Sequence, residues 1–145
     1  MRSRMALSPE PWLWPAPRVL VEHPDEASGL ALASGLRQAG YAVAVCPGPE
    51  HSERCPLAGP ADCAVAHGAD VIVSSLGLER PEARGVLAAL RTRCADTPLI
   101  VEVTAGQQRE YEGLLEGCDV VLSPVSPEQL VAAVDGAFAA RRGER

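Results

Sequence analysis

The stretch RVLVEHPDEASGLALASGLRQAGYAVAVC, residues 18–46, decides how the rest of the chain is read. It opens on a β-branched run, RVLVE, crosses a polar turn at His23-Pro24-Asp25, and closes on a second run, YAVAVC. Between the two, over 25–39, Leu32, Leu36 and Ala39 recur at i, i+4 and i+7, the spacing of one helix face, and Gly40 follows as a stop. A strand, a helix and a second strand in this order predict neighbouring parallel strands with the helix packed across them.

The same rhythm continues outward. Further strands are predicted at 70–74 (DVIVS), 98–103 (PLIVEV) and 119–122 (DVVL). A short helix is expected around 60–67. A third places Ala83, Val86, Leu87, Leu90 and Cys94 on one stripe, and a fourth, about 107–116, offers Tyr111, Leu114 and Leu115. Ser126-Pro-Glu-Gln129 reads as a capping box with proline at the first helical position, opening a last helix that buries Leu130, Val134 and Phe138. Five such units predict an α/β fold: a flavodoxin-like, doubly wound, five-stranded parallel sheet of order 2-1-3-4-5. Ligands of such sheets sit at the carboxyl ends of the strands, which here are Glu22 with His23, Cys46, Ser74 with Ser75, Val103 with Thr104, and Ser123.

A chain of 145 residues suits one domain, 18–142, preceded by an N-terminal tail, 1–17, with four prolines and both tryptophans, Trp12 and Trp14. The hydrophobic share of 47% includes only five aromatic residues, so the core must be aliphatic. A net charge of −6 has the wrong sign for tracking a phosphate backbone, and nucleic acid is not expected as a partner. No apolar run approaches the roughly 18 residues of a membrane span, and no signal peptide is apparent, so a cytoplasmic protein without a membrane partner is expected. All thirteen basic residues are arginine. Lysine chemistry, from Schiff bases to phosphate-binding loops of the G-x-x-x-x-G-K-[ST] kind, is thereby excluded.

The strings RVLVEHPDE, AGYAV, DVIVSSLGLE, TPLIVEVTAG and GCDVVLSPVSPEQLVAAV, in this order, resemble the receiver domain of bacterial response regulators. The resemblance covers about residues 18–142 and implies a signalling module without enzymatic activity. It also maps a phosphorylation site onto this chain, in degenerate form. The acidic-pair positions fall on His23 and Pro24, with Glu22 one residue before them. The phosphoacceptor position falls on Ser75, the strand-4 hydroxyl on Thr104, and the lysine position on Ser123. Phosphoryl transfer to an aspartate needs a carboxylate nucleophile and Mg²⁺ held by several carboxylate oxygens, and these positions supply neither. A serine hydroxyl is a weak nucleophile without a base, for which His23 is the nearest candidate. The expectation is therefore a pseudo-receiver that acts by contact with a protein partner or as a homodimer. The resemblance places that contact on residues 107–140.

The connection after the second strand is the unusual part. Three of the five cysteines and two of the three histidines fall in the loop 46–67, with spacing C-x4-H-x3-C-x7-C-x3-H. Cys63 and His67, at i and i+4, would share a helix face. Cys46, Cys55, Cys63 and His67 form a candidate zinc set, with His51 or His23 as a substitute ligand. The alternatives are a redox-active Cys55 and Cys63 pair, or thiols that only pack. Cys94 and Cys118 read as core positions. A metal or thiol-redox sensor is thus the second functional reading. A ligand-binding or catalytic protein ranks last, since no G-x-G-x-x-G turn and no acid–base constellation appears.

Overall fold

A computed structural model, which describes residues 17–49 and 55–143, realises the alternation of strand and helix. Apart from Pro17, the tail with Trp12 and Trp14 lies outside the described residues, as does His51. Strands β1 (Arg18–Glu22), β2 (Ala42–Cys46), β3 (Val71–Ser74), β4 (Leu99–Val103) and β5 (Asp119–Leu122) make one parallel sheet of order β2-β1-β3-β4-β5. The expected order holds. Helices α1 (Glu26–Gln38) and α6 (Pro127–Gly143) cover one face. The other is covered by α2 (Ala64–Gly68), α3 (Pro81–Arg93), α4 (Ala105–Glu110) and α5 (Glu112–Leu115), together with a 3-10 turn at Pro56–Ala58.

Side chains alternate along each strand, and so divide the core in two. Val19, Val21, Val71, Val73 and Ile100 meet α1 and α6, while Leu20, Ile72, Leu99 and Val101 meet α3. As expected, the stripe Ala83, Val86, Leu87, Leu90 and Cys94 is buried throughout. Asp25 caps α1 by accepting the Ser28 N–H. Ser126 and Gln129 exchange the two bonds of a capping box at the start of α6.

Four local expectations are corrected. Ala39 is exposed, because α1 ends at Gln38 and the chain there turns towards Gly40 at φ 102°. Phe138 is only half-buried: its ring stacks on Tyr41 with centroids 5.4 Å apart, and the small Ala137 takes the buried place. The fourth expected helix begins earlier, since Thr104 and Gln107 form a capping box, and then breaks at Tyr111 into α4 and α5. Of its apolar residues Leu115 alone is buried. The short helix starts at Ala64 rather than near residue 60, because Cys63 is extended.

Just after β2, Gly48 sits at φ 86°, and a Cβ there would lie 2.4 Å from Leu76 Cδ2. Its N–H reaches the Cys46 sulfur at 3.4 Å. Gly48→Ala therefore combines left-handed strain with a steric clash. It is expected to lower unfolding free energy by about 2 kcal/mol, as read from urea denaturation.

Candidate functional site

The sheet brings the expected positions to one edge. Glu22 is in register with Cys46 on one side and Ser74 on the other. Beyond it, His23 N–H donates to the Cys46 carbonyl and Ser75 N–H to the Glu22 carbonyl, both extending the ladder. Ser123 N–H donates to the Val103 carbonyl, and a cis peptide joins Ser123 to Pro124.

The side chains at this edge are occupied locally or turned away. His23 Nδ1 accepts the N–H of Asp25, and the exposed Asp25 carboxylate accepts from Ser28, which holds its pKa below the usual range. Thr104 Oγ is spent on capping α4. Ser75 is 8% exposed, and its hydroxyl finds no hydrogen-bond partner among the described residues. No hydrogen bond joins it to His23, so the base that a serine nucleophile needs is not engaged. Gln107 Nε2 donates to Glu79 Oε1 at 2.9 Å, tying the loop after β3 to the start of α4. The bridge was invisible in the sequence, because it needs two loops far apart in the chain to meet.

These residues do not fit Mg²⁺. The only carboxylate among the strand-tip residues belongs to Glu22, which is 3% exposed. Strand alternation turns it to the face of Leu20 and its register partner Cys46. One oxygen interacts with Ser74, while Oε1 has no partner. Burial pushes the carboxyl up to about 7, against a smaller lowering by Ser74.

Cys46, the register partner of Glu22, shares a core cluster with Cys63 and, at its margin, Cys55. Cys46 is 4% and Cys63 is 5% exposed, while Cys55 is half-buried against the same core. The Cys55 carbonyl accepts the Ala58 N–H, and burial raises the pKa of the thiol. Burial likewise raises that of Cys46. All five cysteines are free. The pairing of Cys63 with His67 on one helix face is not realised: Cys63 is an extended N-cap turned into the core, whereas His67 is exposed, 3.7 Å from Asp62. Among the described residues no three His, Cys, Asp or Glu side chains are grouped to hold a metal ion. Cys94 is buried as expected, and Cys118 only partly so.

The comparisons agree with the sheet topology. Solved receiver structures superpose on the chain over most of its length. A CheY-like receiver domain protein from Methanospirillum hungatei JF-1 matches with a TM-score of 0.66 at 15% identity, covering 90% of this chain and 99% of that one. The chemotaxis protein CheY4 of Vibrio cholerae matches with 0.61 at 18% identity, covering 84% and 98%. The chain has the receiver fold. A third match, to a structure described as a novel family of redox sensors in the streptococci evolved from two-component response regulators, has a TM-score of 0.63 at 18% identity. It covers 87% of this chain and 52% of that one. No family model and no curated protein matches the sequence. Among the described residues no helix is long and apolar enough to cross a membrane.

The buried acid has a measurable consequence. Unfolded, Glu22 releases its proton near 4.5; folded, it holds it to about 7. Its contribution to stability is thus fully present below pH 4.5 and is lost as pH rises through 7. At about 1.4 kcal/mol per pKa unit, the loss is about 3 kcal/mol. Glu22→Gln should flatten that slope: urea melts should show the variant clearly more stable than the parent at pH 8, with the difference gone by pH 4.5.

Proposed function

We propose that this protein is a receiver-like signalling module that accepts no phosphoryl group and acts through protein contact. The observation that carries the reading is the state of the phosphoacceptor position. Ser75 is buried and without a base, and the flanking positions hold His23 and Pro24 where carboxylates would be needed to retain Mg²⁺. Ser123 stands where a lysine would sense the phosphoryl group. Incubation with acetyl phosphate and Mg²⁺, followed by intact-mass measurement, should show no phosphate adduct. A Mg²⁺-dependent adduct on or beside Ser75 would sink the reading.

Residues 107–140 are the contact surface in this reading. Strand β5 ends the sheet with only Val120 and Val121 half-covered, and Leu122 is 54% exposed. Edge strands with open apolar side chains are pairing surfaces. A homodimer or partner complex is expected by light scattering and crosslinking, and Leu122→Glu should weaken it at least tenfold. A chain that stays monomeric at high concentration, with crosslinks to native partners that avoid 107–140, would count against this face.

The second reading, a thiol-redox sensor, is favoured by the gathering of Cys46, Cys63 and, at its margin, Cys55 in one core cluster, with Cys46 beside the buried Glu22. The redox sensors named in the streptococcal structure offer a precedent on the same fold. A zinc site made by Cys46, Cys55, Cys63 and His67 would need His67 to leave Asp62 and turn inward. The thiol form is therefore preferred to the metal form.

A further inference from the structure

The five strands are parallel, so all of them start at one end of the sheet, opposite the strand tips described above. At that end a cavity of about 330 Å³ opens between the end of α3 and the starts of β4 and β5. Leu90, Pro98, Leu99 and Cys118 give it apolar walls, and Arg91 and Arg141 complete the lining. Both guanidinium groups are anchored on backbone: Arg91 by the carbonyls of Gly113 and Leu114, Arg141 by that of Asp70. Ligands of such sheets sit at the other end, so the fold itself assigns no occupant to this cavity.

We propose that the cavity receives the indole of Trp12, from the chain's own N-terminal segment. That segment meets the sheet at the same end, because Pro17 directly precedes β1 and its carbonyl accepts the Ala42 N–H. A run of hydrogen bonds leads across from there. The Arg18 N–H donates to the Asp70 carboxylate, and the Asp70 carbonyl accepts from Arg141, which lines the cavity. Neighbouring strands lie about 4.8 Å apart, so β4 is about 10 Å and β5 about 14 Å from β1. Trp12 stands five residues before Pro17, a span of up to about 17 Å that reaches the β5 wall. Trp14, three residues before it, spans about 10 Å and stops at β4.

The cavity and the side chain suit each other. Pockets for small-molecule ligands start at about 300 Å³, so this one has room for a single large side chain and little more. Tryptophan brings a flat apolar body to the walls of Leu90, Pro98 and Leu99, and its ring face is the best aromatic partner for a guanidinium. The carboxylates of Asp96 and Glu116, also in the lining, offer the indole N–H an acceptor. Prolines at 9, 11, 15 and 17 narrow the conformations open to the segment, which lowers the entropy lost when it docks. Seated there, Trp12 covers Cys118 and braces the turn between α5 and β5. The proposal goes beyond the signalling reading and does not rest on it.

Trp12 and Trp14 are the chain's only tryptophans, so its tryptophan fluorescence reports on this segment alone. In the full chain one of the two should emit to the blue of free indole and be shielded from acrylamide. Trp12→Ala should remove the shielded component, and Trp14→Ala should leave it. Cys118, half-buried in the cavity wall, gives a second readout. Iodoacetamide should alkylate it about tenfold faster in Trp12→Ala than in the parent, as followed by peptide mass. Arg141→Ala should weaken the shielding. Free quenching of both tryptophans in the parent would overturn the proposal. So would shielding that is lost in Trp14→Ala and kept in Trp12→Ala, since the seated indole is then the other one. Shielding with Cys118 alkylation unchanged puts the indole elsewhere and rejects the cavity. Shielding that fades on dilution puts the segment on a second copy and rejects the intramolecular seat. Shielding indifferent to Arg141→Ala refutes the contact with that guanidinium.

Discussion

Strand β1 is hydrogen-bonded along both edges, to β2 and β3, and its apolar side chains are buried on both faces. The rest of the structure depends on that position. A central strand cannot shift its register without turning every side chain to the wrong face, so Val19, Leu20 and Val21 fix where Glu22 must lie. The acid is buried because the strand carries it there, between Cys46 and Ser74 on its neighbours. The placement of this buried acid thus follows from sheet geometry, one residue before the turn at His23.

Around this sheet, guanidinium groups do the fastening. Arg37 donates to the Val43 carbonyl, Arg84 to that of Leu78, Arg91 to those of Gly113 and Leu114, and Arg141 to that of Asp70. Arg93 holds two carbonyls of the cysteine-bearing connection, Gly59 and Ala61, at 2.6 Å each. Arg84 also lies over the Tyr111 ring, where the fourth expected helix breaks. A planar fork with five donors can span two carbonyls of a loop in a way that an ammonium point charge does less well. The choice of arginine at every basic position fits this use.

Much of the fold was legible in the sequence. Sheet order followed from the alternation of β-branched runs with helical periods, and the Ser126 and Gln129 capping box was readable because its partners are three residues apart. What escaped depends on side-chain direction. The i, i+4 spacing of Cys63 and His67 predicts a shared face only if both are helical, and Cys63 is not. Phe138 fits the helical period, but its ring is drawn to the rim by Tyr41, ninety-seven positions away in the chain. At the strand tips the sequence shows that carboxylates are lacking at His23, Pro24 and Ser75. It cannot show that Glu22 and Cys46 are side by side, since that is a property of register.

The fastenings and the centre respond differently to acidity. Guanidinium groups in general keep their charge throughout the range in which proteins stay folded, and here they hold the carbonyls of Gly59, Ala61, Leu78 and Leu114. Glu22, by contrast, changes charge near neutrality while buried between Cys46 and Ser74. Among the described residues the arginine clamps sit at or near the surface, and Glu22 is the one fully buried acid. A change in the medium would then be felt first at the heart of the sheet, with the outer shell still locked in place.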